Sequence, residues 1–414
     1  MRTMKILQIN SHYNQGGAAR IVACIHEQLL AEGEESYVAY GRGTAPEQKN
    51  LFCVDRRYEV YLSALLCRIA GLNGTWNYRA AGRLISLLRK IRPDVVHIHA
   101  LHGYYMNFRR LFGYLNREDI PCVWTFHDCH AFAGNCGYFF ECEKWKDGCR
   151  NCPDIRRYPR SQFFDFNHLM WEQKKKLFTG HGRMVLVTPS DWLTGAVRQS
   201  FLKDYKCITI RNGIDVRHTF FPRGREYCRK KYGYGLREKL VLGIAAGYRD
   251  ERKGAKYMLG LARALAREAK IILIGWDGEN NAMPEEISNL CTLPNTPDTE
   301  LLAEYYSMAD VFVLSSLAEN YATVTLEAMA CGTPVVGFDA GGTPEQLTGR
   351  KGIAVEAGNQ DALTAAVRRA LSPESGLMRG EDLAEKIRET NSVERMVEEY
   401  KKVYRQILAE SDAT

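Results

Sequence analysis

Two carboxylates, Glu319 and Glu327, stand with seven residues between them in the stretch Ser315–Phe338, SSLAENYATVTLEAMACGTPVVGF. The apolar run Val311–Leu314 before them reads as a strand. Ala322–Ala330 reads as a helix carrying Glu327, stopped by Cys331-Gly332-Thr333-Pro334, and Val335–Phe338 reads as the next strand. Glu319 therefore falls on the loop at the carboxyl end of a strand. Glu327 falls about two turns into the helix, at roughly 1.5 Å rise per residue. The helix N-terminus between them favours an anion, and Asn320, Tyr321 and Ala322 offer backbone N–H groups there. A sugar, a pyrophosphate and a ribose can lie in line along such a site. That suits a nucleotide-sugar better than a substrate for hydrolysis.

Other residues fall at similar positions. Gly16-Gly17-Ala18-Ala19-Arg20 follows the first strand and opens a helix, so a backbone can approach an anionic ligand closely. It is not the Gly-x-Gly-x-x-Gly dinucleotide pattern, and a plain tight turn is the other reading. His127-Asp128 follows the strand Val123–Phe126, at the end where α/β proteins bind ligands. His97 and His99 share a strand and are expected on opposite faces, with His99 toward the ligand end and His97 in packing. Gly247-Tyr248-Arg249-Asp250-Glu251-Arg252-Lys253-Gly254 places three cations between a strand and a helix, Lys256–Arg267. Gly341-Gly342-Thr343-Pro344-Glu345 is a further glycine-rich turn after a strand.

The elements that must position these residues alternate short apolar strands with helices, the pattern of a doubly wound parallel sheet. Lys5–Ile9, Tyr37–Ala39, Val95–His99, Val123–Phe126, Met184–Thr188 and Ile208–Ile210 read as strands of one domain, with helices such as Ala18–Glu32 and Tyr78–Ile91 between them. Asn212-Gly213-Ile214-Asp215 breaks the pattern. A second alternation runs through Leu240–Ala245, Ile271–Ile274, Val311–Leu314, Val335–Phe338 and Ile353–Val355. The expected domains are 1–213 and 214–390, with an amphipathic helix from Val393 to Ala409 in a closing segment, 391–414.

The 414 residues suffice for two such domains, with 45% hydrophobic and 25% charged residues. Apolar runs are strand-sized, so none spans a membrane, and Met1–Asn10 reads as a strand start and not a signal peptide. A cytoplasmic protein with reduced thiols is the expectation. The net charge of +7 is uneven: residues 1–212 hold 30 Lys/Arg against 19 Asp/Glu, and residues 213–414 hold 26 against 30. A basic first half suits an anionic partner, such as a membrane surface or a lipid pyrophosphate. Nucleic acid is not expected, because no aromatic-basic reader motif is present.

Residues 127–165 interrupt the alternation as a cysteine-rich insertion. Five cysteines, Cys129, Cys136, Cys142, Cys149 and Cys152, fall within 24 residues. Cys149-x-x-Cys152 has metal-knuckle spacing, and Cys136 and Cys142 complete four ligands for a structural zinc; reduced buried thiols are the alternative. Arg156, Arg157, Arg160 and Lys174–Lys176 read as a basic acceptor face, or as a solvated surface.

The Glu319–Pro334 segment closely resembles the signature of the family-four retaining glycosyltransferases of bacterial polysaccharide synthesis, which have the GT-B fold. Further elements follow in that family's order from residue 4 to about 400. The resemblance implies two Rossmann-like domains facing a cleft, with the donor mostly on the second and the last helix returning to brace the first. It implies a UDP- or GDP-sugar donor and a saccharide or lipid-linked acceptor, while the basic first half suggests peripheral association with the inner face of the cell membrane. Lys253 and a neighbouring cation would hold the donor phosphates; Tyr248 stands where arginine is usual, and Arg252 is the preferred substitute over Arg249. Glu319 would contact the sugar hydroxyls, Glu327 the ribose, His127 the sugar near its 6-hydroxyl, and Gly16, Gly17, Gly342 and Thr343 the donor. No covalent nucleophile stands out, and there is no Asp-x-Asp motif. The resemblance thus implies front-face transfer with retention and no catalytic metal. A sugar-nucleotide epimerase or hydrolase, or a non-catalytic nucleotide-sugar-binding protein, is the alternative reading.

Overall fold

The computed structural model describes residues 3–245, 250–276 and 287–410. They form two compact units: residues 1–212 together with Val393–Thr414, and Gly213–Ser392.

Seven parallel strands build the first unit: β1 (Lys5–Asn10), β2 (Glu35–Tyr40), β3 (Leu51–Cys53), β4 (Val95–Ile98), β5 (Cys122–Thr125), β6 (Met184–Thr188) and β7 (Cys207–Thr209), in the order β3-β2-β1-β4-β5-β6-β7. Helices α1 (Gly17–Ala31), α2 (Arg57–Ala70), α3 (Tyr78–Ile91), α4 (Phe108–Arg117), α5 (Asn167–Phe178) and α6 (Asp191–Arg198) connect them. Central strands are apolar on both faces, as helices covering both sides require. Leu7, Ile9, Val96 and Ile98 enter one core layer, and Ile6 and Val95 the other. Side-chain caps start the helices: Asn77 on α3, Asn107 on α4 and Ser190 on α6 each accept from an early backbone N–H.

The second unit has six parallel strands: β8 (Leu240–Ile244), β9 (Lys270–Ile274), β10 (Leu290–Leu293), β11 (Val311–Leu314), β12 (Val335–Asp339) and β13 (Gly352–Glu356), in the order β10-β9-β8-β11-β12-β13. Its helices are α7 (Arg225–Lys231), α8 (Ala255–Ala264), α9 (Thr299–Met308), α10 (Thr323–Ala330), α11 (Thr343–Leu347), α12 (Gln360–Leu371) and α13 (Gly380–Asn391). A bridge from Ile214 to Ser392 joins the two ends of the unit.

The final helix, α14 (Val393–Ala409), lies in the first unit. Met396, Val397, Tyr400, Val403, Tyr404 and Ile407 are buried against the layer formed by Ile6, Ile21, Ile25 and Val95. Tyr404 Oη meets His97 Nδ1 at 2.7 Å, Tyr400 meets Thr125 at 3.0 Å, and Lys401 pairs with Glu32 at 2.5 Å.

Residues 126–166 contain neither helix nor strand. The low periodicity predicted a loop-rich insertion. Its Phe132, Phe139 and Trp145, with Phe126 before them, join the main core of the first unit, and Trp171 of α5 donates to Trp145 O at 2.8 Å. Aromatic stacking, as between Phe139 and Trp145 at 4.8 Å, replaces regular elements here.

Candidate functional site

In the second unit the strand order reverses between β8 and β11. Loops leaving these two neighbours run to opposite sides, which opens a crevice at their carboxyl ends. The loop after β8 ends in a 3-10 turn, Glu251–Lys253, closed by Gly254 at φ +66°. A Cβ on Gly254 would stand 1.9 Å from Ser315 O, so only glycine lets this loop meet the loop after β11. Ser315 Oγ donates to Lys253 O at 3.0 Å, and the Leu317 N–H to Arg252 O at 2.7 Å.

This stitching brings three predicted residues together. Lys253 Nζ lies 2.6 Å from Glu319 Oε1, and Arg252 Nη1 lies 3.2 Å from the same oxygen. Burial pushes the Glu319 carboxyl up, but the Lys253 ammonium and the Arg252 guanidinium overcome it and hold it below the usual range. Arg252 is the neighbouring cation that meets Glu319 alongside Lys253. Tyr248 and Arg249 lie outside the described residues.

Beside this cluster α10 begins at Ala322 with no side-chain cap and no acidic residue in its first turn. Its first residues, Ala322, Thr323 and Val324, are half-buried, so their end of the helix is reachable. Asn320 and Tyr321 precede it, both buried. Of the three expected backbone donors, Ala322 is committed elsewhere. Gln346 of α11 accepts from its N–H at 3.2 Å and donates to its carbonyl at 2.9 Å. Glu327 is 1% exposed, and Tyr306 donates to its Oε2 at 3.0 Å. Gly342 precedes α11, and the buried Thr343 Oγ1 has no hydrogen-bond partner among the described residues.

The first unit has its own reversal, between β1 and β4. Gly16, at φ +87°, and Gly17 are exposed there, at the uncapped start of α1. His127 lies just past β5 and meets His99 at 3.0 Å; His99 in turn meets Gln8 at 3.2 Å. Burial holds His127 down at about 4, so its imidazole is neutral near pH 7. The expectation of opposite faces for His97 and His99 is wrong. Two residues apart along a strand share a face, and the rings lie 4.0 Å apart. His97 is a packing residue, bonded to Thr125 and Tyr404. His99 is 2% exposed and meets His127 on its other side.

Two features escaped the sequence reading. A cavity of about 470 Å³ opens past the end of β2, lined by His12, Gly41, Arg42, Gly43, Thr44, Cys53, Asp55, Arg57, Val60 and Tyr61. The Gly41-Arg42-Gly43 turn at a strand's carboxyl end was the available signal. The second is on α2, where Tyr58, Tyr61, Leu62, Leu65 and Ile69 repeat at helical spacing and are 40–63% exposed. Phe163, Phe164 and Phe166 are exposed as well. Their loop adjoins the end of α2, where the Gln162 N–H donates to Arg68 O at 2.8 Å.

The basic acceptor face needs correction. Lys174 is fully buried, with Nζ donating to His130 O at 2.6 Å and Ala133 O at 3.1 Å. Lys175 and Lys176 remain exposed, as do Arg156 and Arg160. Among the described residues no three His, Cys, Asp or Glu side chains stand as a metal-holding group. Cys136, Cys142, Cys149 and Cys152 share the walls of one small cavity as free thiols.

Comparison with known proteins agrees with this architecture. Residues 15–218 match the family model described as Glycosyltransferase Family 4, and residues 239–373 the one described as Glycosyl transferases group 1. The chain belongs to glycosyltransferase family 4. This glycosyltransferase is 25% identical over 369 residues to the putative colanic acid biosynthesis glycosyl transferase WcaC of Escherichia coli, covering 85% of this chain and 88% of that one. Sucrose-phosphate synthase from Thermosynechococcus elongatus has a similar fold, with a TM-score of 0.71 at 19% identity over 98% of this chain and 99% of that one. Anabaena HepE in complex with UDP and glucose gives a TM-score of 0.65 at 16% identity, over 97% of this chain and 99% of that one. The fold is that of the GT-B glycosyltransferases, as the sequence led us to expect.

Proposed function

We propose that this glycosyltransferase moves a sugar from a nucleoside diphosphate sugar to a lipid-linked saccharide, with retention at the anomeric carbon, during cell-surface polysaccharide synthesis. The observation that carries the donor half is the meeting of Lys253, Arg252 and Glu319 beside the uncapped start of α10. The two cations and the helix N-terminus together suit a diphosphate. Glu319, held ionised by those cations, suits sugar hydroxyls as an acceptor. Glu327 suits the ribose, and neutral His127 suits a sugar hydroxyl without adding charge.

In the reaction the acceptor oxygen attacks the anomeric carbon from the face the diphosphate leaves. The carbon–oxygen bond to the phosphate breaks, and the acceptor proton passes to the departing phosphate oxygen. The products are a glycoside and a nucleoside diphosphate. Lys253 and Arg252 stabilise the charge that grows on the leaving group. UDP in the solved complex of HepE makes UDP-sugars the first donors to test.

The acceptor half rests on the first unit. Arg42 and Arg57 in the cavity past β2 suit an acceptor phosphate. Tyr61 lines that cavity and belongs to the exposed stripe of α2, with exposed Arg56, Arg57 and Arg68 on the same helix or beside it. An apolar stripe edged with arginines suits the interface of an anionic bilayer. No helix among the described residues is long and apolar enough to cross a membrane.

Transfer from a panel of UDP- and GDP-sugars to a lipid-linked acceptor, with the anomeric proton of the product read by NMR, tests this reading. A retained anomer is expected, and an inverted one defeats the mechanism. Release of free sugar alone would favour the hydrolase reading. Leu62→Glu with Leu65→Glu should abolish sedimentation with anionic vesicles and leave the melting temperature unchanged. Undiminished sedimentation would defeat the membrane assignment.

A further inference from the structure

Residues 126–166 hold their shape without helix or strand, and the hydrogen bonds of the buried Lys174 lead into their cysteines. A buried lysine keeps its charge only beside a compensating negative one. Its partners are two carbonyls and the His130 ring, not a carboxylate. One of those carbonyls belongs to the Ala133–Gly134 peptide, whose N–H donates to Cys149 Sγ at 3.1 Å. A single peptide unit therefore links the ammonium to a sulfur and is polarised to donate more strongly to it.

Cys149 opens onto a cavity of about 20 Å³, the scale of one small ion or water, together with Cys136, Cys142 and Cys152. Phe139 and Trp145 make its apolar walls, and Cys129 is not among its lining. The chain turns sharply through Cys149-x-x-Cys152, with left-handed backbone at Gly148, Cys149 and Asn151. A non-glycine residue keeps such a conformation where its surroundings hold it. The backbone N–H of Cys152 is held by Asp165 at 2.8 Å, so both ends of the turn are fixed.

We propose that Cys136, Cys142, Cys149 and Cys152 bind one structural zinc ion as thiolates, with Lys174 as its buried counter-cation. Binding releases the four thiol protons to solvent and forms four zinc–sulfur bonds of about 2.3 Å in a tetrahedron. Four thiolates and one Zn²⁺ carry a net charge of −2, which Lys174 halves. Closing the tetrahedron draws the sulfurs in from their present spacing, in which no three form a metal-holding group. The ion would staple a long irregular segment onto the core, and it takes no part in sugar transfer.

The test uses the full chain purified under reducing conditions. Elemental analysis should find about one zinc per chain. Cobalt(II) exchanged into the site should give the visible absorption of a tetrahedral thiolate set. Cys149→Ser should lose the metal, and Cys53→Ser, at an exposed thiol outside the cavity, should keep it. Because Cys149→Ser tests folding as well, Lys174→Gln supplies a separate measurement. Zinc affinity in competition with a chromophoric chelator should fall about 10–100-fold, the range for losing an outer-shell partner. Folded, reduced protein that is metal-free and gives no cobalt–thiolate band overturns the site. Disulfides among these four cysteines in freshly purified protein do the same. Unchanged zinc affinity in Lys174→Gln overturns the counter-cation.

Discussion

At the residue scale, Lys253 and Glu327 should fail in different ways. Negative charge on the diphosphate grows in the transition state, so a cation beside it matters more there than in the ground state. Lys253→Ala should lower kcat by roughly 100-fold or more, the scale for losing one preorganised stabilising group. Glu327→Ala should mainly raise the KM for donor, since a ribose contact changes little during reaction. Full turnover in both Lys253→Ala and Glu319→Ala would show that the chemistry happens elsewhere. Gly254 ties the two loops together. Gly254→Ala forces a side chain into left-handed backbone, costing about 1–2 kcal/mol, and into Ser315 O. It should lower both the melting temperature and kcat, though the residue carries no functional group. Wild-type turnover in that variant would mean the loops need not meet.

At the scale of elements, what the sequence disclosed follows burial. Met184–Thr188 and Val311–Leu314 are buried throughout, so each reads as an unbroken apolar run with clear ends. The edge strands β3 and β10 do not, because their residues are at most half-buried and their pairing comes from one neighbour. Lys253 and Glu319 were readable one at a time. Their contact depends on where the strand order reverses, which no local pattern encodes. Lys174 was misread because a run of three lysines looks like a solvated face, and only packing against residues 126–166 buries the first. The first unit also holds histidines that fold uncharged. Burial holds His12, His26 and His127 down at about 4, and His97, His99 and His130 well below their usual value. As pH falls below about 6.5 the unfolded chain takes up protons that the folded chain refuses. Stability should therefore drop between pH 6.5 and 4, by up to about 1.4 kcal/mol per pH unit for each such proton. Urea midpoints across that window check this, and a flat profile would mean these rings protonate freely in the fold.

At the scale of the whole molecule, the chain crosses between its units twice, at Asn212 and at Ser392. The first unit thus takes its final helix from the far end of the sequence. A fragment ending at Asn212 leaves Ile6, Ile21, Ile25 and Val95 without the apolar face of α14, and His97 without Tyr404. Such a fragment should aggregate, and a peptide of residues 391–414 added in trans should restore its solubility. A soluble, cooperatively melting 1–212 fragment would mean that α14 is dispensable to the core. The same connectivity sets a schedule for biogenesis. About 180 residues separate the two crossings, and a ribosome adds about 5–20 residues per second. The nascent first half therefore waits roughly 10–35 s with an open hydrophobic seam, a window in which chaperones have something to hold and mistranslated or stalled chains present a degradation mark.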